Sequence, residues 1–203
     1  MIELQNFGWN YLTFNFIATI FFSLLAMWWG YRQGENIWRK KSGEAVSHFL
    51  HICNTGYFFV RIVYGVHLGS IAVAFSGFAR APIQIYILVG LAKHNGFKWS
   101  DKSLLFILCA TLLLMIMSPW KGLIFEIVSY TALASLAAQP VKIWRQKTRG
   151  SVTLGIQLVY VFSSLVWIAY ALEINDIRLL AVHLVAFVIF TVTTILWFAY
   201  PTK

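Results

Sequence analysis

The sequence predicts an all-α integral membrane protein with seven transmembrane helices. They form two parallel three-helix repeats joined by a linker helix, with the N-terminus outside. Three observations carry this reading. The chain is 60% hydrophobic and 11% charged, where a soluble domain carries about a quarter charged residues. Apolar runs recur along its 203 residues, and a span needs about 20 residues. Two segments 106 positions apart nearly repeat each other: Ile37-Trp38-Arg39-Lys40-Lys41-Ser42 and Ile143-Trp144-Arg145-Gln146-Lys147-Thr148. Without a gap, Gln33 then aligns with Gln139, Val46-Ser47 with Val152-Thr153, and Tyr64 with Tyr170.

The elements follow in order within one membrane domain, residues 1–203. The first repeat, residues 11–92, holds spans at Tyr11–Trp29, Val46–His67 and Ile71–Ala92. Met1 to Asn10 lacks a basic n-region, so the first apolar run is expected to be retained and not cleaved as a signal peptide. The linker, Ser103–Met117, is short, nearly all aliphatic and without a counterpart in the repeat. The second repeat, residues 123–200, holds spans at Leu123–Ala138, Val152–Leu172 and Leu179–Tyr200. Only helices and closed barrels satisfy backbone polar groups in lipid, and the segments lack the strict alternation of barrel strands. Three spans end on the side opposite to where they began. A fourth helix returns the chain, so that the second triple enters in the same orientation and the repeat is parallel.

Charge sets the orientation. With the N-terminus outside, the inner side carries Arg32, Arg39, Lys40, Lys41, Lys93, Lys98, Lys102, Lys142, Arg145, Lys147, Arg149 and Lys203, which is 12 of the 16 basic residues. The outer side holds Lys121 and Arg178, while Arg61 and Arg80 fall inside spans. This bias places the N-terminus outside and the C-terminus inside. It also accounts for the net charge of +9 without nucleic acid; contact with lipid head groups is a secondary role for the basic loops. Cys53 and Cys109 lie in apolar runs outside any CxxC pattern and read as small buried residues.

In order and repetition the motifs resemble the PQ-loop superfamily, and within it the SWEET and SemiSWEET sugar transporters. The resemblance rests on Gln139-Pro140, the basic stretch Lys142 to Arg149, Gly150-Ser151-Val152-Thr153, and Leu165-Val166-Trp167-Ile168-Ala169-Tyr170. It implies alternating access of a sugar to a site between the two triple-helix bundles. The first copy departs from the pattern: Gly34 stands at the place of Pro140, and Arg61 at the place of Trp167. The Asn pair that the resemblance would place in the third and seventh spans is replaced by Gly77 (or neighbouring Ser76) and His183.

The residues expected to bind substrate are Asn54, Arg61, Arg80, Tyr160, Trp167 and His183. Ionisable groups inside spans cost about 2.5–3.5 kcal/mol on insertion scales and usually face the bundle interior. Arg61 and Arg80 thus read as a cationic pocket for a carboxylate, phosphate or polar head group. The alternative is an internal ion pair or a cap on backbone carbonyls, with Glu126 as the ion-pair partner of Arg61. Asn54, Phe58 and Arg61 share a helix face, as do Tyr160, Ser164 and Trp167 106 residues later, so the two trios should oppose one another. Trp167 is expected in the pocket wall and Tyr170 in packing. His48 and His51 read as a polar lining of the inner gate, His48 and Glu126 as proton-coupling candidates, and Gln84 as either cavity-facing or packed. Gln33, Gly34, Gln139 and Pro140 are expected to act as hinges, because Pro140 breaks a helix and Gly34 loosens one. The alternative there is a plain helix end.

The function expected is membrane transport of a small polar solute, a sugar on the resemblance. The runner-up solutes are anionic or zwitterionic, such as an amino acid or organic acid. A different class is a KDEL-receptor-like binding protein. No nucleophile–base set or acidic pair points to an enzyme. A retinal pump is excluded, because Leu179 to Tyr200 has no lysine. No cofactor or metal is expected. The partners are the solute and the lipid bilayer, with a homo-oligomer compatible, and the location is a bacterial inner membrane.

Overall fold

The computed structural model describes residues 1–41, 47–148 and 153–201. The sequence motifs at Ser42, Val46, Arg149, Gly150-Ser151-Val152 and Lys203 lie outside them. Eight helices are described: α1 (Ile2–Gln5), α2 (Tyr11–Lys40), α3 (His48–Leu68), α4 (Ile71–Asn95), α5 (Trp99–Met117), α6 (Lys121–Gln146), α7 (Leu154–Glu173) and α8 (Ile177–Ala199). Six of them, α2 and α4 to α8, are long and apolar enough to cross a membrane. The seventh long helix, α3, falls short because it carries His48, His51, Asn54, Arg61 and His67. It packs on α4, α5 and α6, which bury His51 and Arg61 and half-bury His48 and Asn54, while His67 stays exposed.

The 106-residue offset reaches into the helix ends. Ser70 and Asp176 cap α4 and α8, and Ser47 and Thr153 open α3 and α7. Side-chain oxygens of Ser70 and Asp176 accept backbone N–H groups that the first helical turn leaves without partners. At the other end, Lys41 and Lys147 close α2 and α6 in the left-handed conformation, with φ of 50° and 53°. The packing repeats as well. Helices α2 and α3 both rest on α4, α6 and α7 both rest on α8, and the cross-contacts are α3 on α6 and α2 on α7. The linker α5 lies against α3 and shows most of its surface outward.

Several helix bounds differ from the sequence expectation. Helices α2 and α6 extend well past Trp29 and Ala138, to Lys40 and Gln146. Neither Gln33-Gly34 nor Gln139-Pro140 ends or breaks a helix, so neither the break expected at Pro140 nor the plain helix end is present. Pro140 is accommodated within α6 and buried. Gly34 marks a close approach: a Cβ there would lie 2.7 Å from the Tyr86 ring on α4. The short α1 was not anticipated.

Candidate functional site

In the half of the bundle nearer the N-terminus, the repeat-related positions 61 and 167 meet. The guanidinium of Arg61 lies 3.9 Å from the ring centroid of Trp167, a cation–π contact of the stronger, desolvated kind. The Trp167 ring also stacks on His183 at 5.2 Å and 11°. Arg61 Nη1 donates to the Tyr57 hydroxyl and, at 3.2 Å, to His183 Nε2. Arginine can only donate, so His183 Nε2 accepts, and the imidazole is neutral with its proton on Nδ1. Arg61 is 3% exposed.

Arg80, from α4, bridges the two trios of helix-face residues. Its guanidinium carbon sits 5.3 Å from the Phe58 ring and 5.7 Å from that of Tyr160. Tyr160 stacks in turn on Phe190 at 4.8 Å. Arg80 lies within electrostatic reach of Arg61, Tyr57 and Tyr160, and both arginines within reach of His183. Asn54 is half-buried on the same face of α3. Gly77, the repeat mate of His183, packs on backbone: a Cβ would stand 2.6 Å from the Phe58 carbonyl oxygen and 2.9 Å from Ile62 N. That position admits no side chain, so α4 contributes to the site through Arg80, less than one turn further on.

The Arg61–Glu126 pair, the alternative to a substrate pocket, does not form. Glu126 faces Arg178 at 3.6 Å, where both side chains are partly exposed. The physical reason is depth. Glu126 stays near water with a flexible partner, whereas reaching Arg61 would bury its charge.

Two hydrogen-bonded clusters close the end of the bundle that bears the N-terminus. Tyr64 donates to Asp176 Oδ2 at 2.8 Å, while Asp176 Oδ1 accepts the amides of Arg178 and Leu179. Tyr170, the mate of Tyr64, meets Ser70, the mate of Asp176, at 2.7 Å. Serine lacks the carboxylate that Asp176 supplies in the second copy, and Glu3 of α1 fills its place. Glu3 accepts from Tyr170 at 2.5 Å, Ser70 Oγ at 2.9 Å, and the Ile71 and Ala72 amides. Tyr170 therefore does more than pack. Tyr57, Glu3, Ser70 and Asp176 escaped the sequence reading. The 106-residue offset pairs Ser70 with Asp176 and would have exposed that relation, but nothing in the repeat points to Glu3.

Toward the opposite end, Gln33 Nε2 lies 3.4 Å from His51 Nε2, and His51 Nδ1 donates to Gln84 Oε1 at 2.8 Å. This chain joins α2, α3 and α4. His48 Nδ1 meets Asp101 Oδ2 at 3.1 Å and ties α3 to the linker. Gln139 is half-buried and Pro140 buried on α6.

Residues 119–203, which hold α6 to α8, match the family model described as "Sugar efflux transporter for intercellular exchange". That is a family of transporters and not of enzymes. The fold is similar to a eukaryotic SWEET transporter solved at 3.7 Å, with a TM-score of 0.71, 14% identity, and 92% of this chain and 95% of that chain covered. No curated protein matches the chain. The apolar helices and this fold make the chain an integral, multi-pass membrane protein.

Proposed function

We propose that the whole chain is a SWEET-like membrane transporter that moves a small, sugar-sized solute by alternating access. The moving parts are two parallel three-helix bundles, α2–α4 and α6–α8, with α5 as the connecting helix. The N-terminus is outside and the membrane is a bacterial inner membrane. The observation that carries this reading is the stacking of Arg61 on Trp167. Equivalent positions of the two halves meet where parallel-repeat transporters bind their solute.

The hydrogen bonds support a conformation closed on the N-terminal side. Tyr64–Asp176 joins one half to the other directly, and Tyr170 and Ser70 are joined through Glu3, which accepts from both. The polar chain Gln33–His51–Gln84 stays within the first half. Opening the N-terminal side would exchange two buried hydrogen-bond clusters for water, while the opposite side parts without breaking that chain. Arg61 reaches across to His183 and Trp167, so solute held there engages both halves at once. Gln33 and Gln139 lie beside the helix continuations that would bend, with Gly34 and Pro140 as the flex points. His48 and Glu126 stand near opposite ends of the path as proton-coupling groups.

The test is uptake of labelled sugars into proteoliposomes of the purified protein. Saturable, protein-dependent uptake is expected. Saturable binding without net flux would replace transport by the receptor reading.

A further inference from the structure

We propose that the solute bears an anionic oxyacid group, a carboxylate or a phosphate, on a sugar-sized body, and that Arg61, Arg80 and His183 hold that group. The proposal rests on the transporter reading above and deepens it.

Among the described residues, eight buried side-chain nitrogen and oxygen atoms lack a hydrogen-bond partner. Four of them belong to these three residues: Arg61 Nε and Nη2, Arg80 Nε and His183 Nδ1. A native interior leaves few such groups unsatisfied, so a cluster of them at one place is matched by acceptors that enter the site, water or solute. Every one of the four is a donor. His183 Nδ1 carries the ring proton, because Nε2 accepts from Arg61. A neutral hydroxyl both donates and accepts, so a sugar alone would call for acceptors as well. A carboxylate or a phosphate oxygen accepts only.

The geometry narrows the choice further. Arg61 spends Nη1 on Tyr57 and His183. Nε and Nη2 form a single edge of the guanidinium plane, which is the fork that takes two oxygens of one oxyanion. The four ion pairs among the described residues involve neither Arg61 nor Arg80. Two guanidinium groups in mutual electrostatic reach, with no acid between them, repel each other until an anion arrives.

The charge is also one-sided. The two arginines, Arg61 and Arg80, both come from the first half, and their repeat mates are Trp167 and Ala186. One side of the pseudo-symmetric centre is therefore cationic, and the other offers the rings of Trp167 and Tyr160. That suits a molecule with one charged end and a body with a flat, partly apolar face.

The experiment is competition against, and direct uptake of, glucose, glucuronate and glucose 6-phosphate in proteoliposomes of the full-length protein. Wild type and the Arg61→Gln, Arg80→Gln, His183→Asn and Arg61→Lys variants are compared. The expected result is a preference of at least about tenfold for one of the two anions over glucose, about 1.4 kcal/mol. The favoured anion identifies carboxylate or phosphate as the group. Arg61→Gln and Arg80→Gln abolish the preference, and Arg61→Lys keeps part of it, because a point charge cannot form the fork. Should the Gln variants fail to fold, the wild-type preference decides alone. Uptake of glucose with no competition from either anion would overturn the proposal and leave the transporter reading standing. If no solute is taken up, calorimetry on the same preparation separates the two. Anion binding that Arg61→Gln removes keeps the site without the transport, and absence of binding overturns the site.

Discussion

Tyr64 donates its hydroxyl hydrogen bond to Asp176 across 112 residues of sequence, and Asp176 is at the same time the N-cap of α8. The mirrored contact runs from Tyr170 through Glu3 to the N-cap of α4, Ser70. Each half thus holds the other by the first turn of its third helix. Removing the hydroxyl with Tyr64→Phe leaves a buried carboxylate oxygen without its donor, at about 1.5–3 kcal/mol. We expect a lower Tm in detergent and greater labelling of a cysteine placed near residue 67. An unchanged Tm and unchanged labelling would deny the contact any part in holding that end closed.

Glu3 makes that end sensitive to acid. Burial alone would raise its carboxyl. Hydrogen bonds from Tyr170 and from the Ala72 and Ile71 amides outweigh burial and bring the carboxyl below its usual value of 4.5. A group with a depressed folded value stabilises the fold above the ordinary carboxylate range and loses that contribution as pH falls through the folded value. Wild-type Tm should therefore fall on acidification from neutral pH to about pH 3, and Glu3→Gln should start lower and fall less. Parallel curves for the two proteins would contradict the assignment.

Gly77 sets the spacing of α3 and α4 beneath the site. A Cβ at 2.6 Å from the Phe58 carbonyl oxygen forces the helices apart. Gly77→Ala should cost about 1–3 kcal/mol, as overpacking does. Gly77→Asn should cost more and supply no binding group. Unfolding in denaturant measures both, and a neutral Gly77→Ala would show that α4 shifts freely.

The stack of His183 on Trp167 predicts a split between size and polarity. Trp167→Phe keeps a ring for His183 and Arg61 and should lower solute affinity only a few-fold. Trp167→Ala removes the cation–π partner and opens a cavity, so affinity should fall about tenfold or more. Equal affinities for the two variants would show that the ring only fills space.

The fold was legible because the same physical demand was written twice. Capping residues, basic stretches and the Tyr64–Tyr170 pair all recur at one offset, and helix boundaries follow capping chemistry. The extensions of α2 and α6 were hidden because Arg32, Gln33, Gln139 and Lys142 read as loop by composition, although a helix end at the membrane surface tolerates such residues. The opposition of Arg61 and Trp167 followed from the repeat axis. The partner of Glu126 did not, since depth along a helix is set by tilt and packing and leaves no trace in spacing. Glu3 was invisible for a related reason: a four-residue helix borrows its place entirely from tertiary contacts.

The transporter proposal requires solute to bind at the Arg61–Trp167 pair. Counterflow of labelled solute in proteoliposomes tests it most directly, with Arg61→Ala, Trp167→Ala and, as control, Phe106→Ala on the outward face of α5, where the ring is 75% exposed. We expect accumulation by wild type and the control, and about a tenfold or greater loss in both site variants. Wild-type levels in Arg61→Ala and Trp167→Ala, or no accumulation by the folded wild type with any solute class, would contradict it.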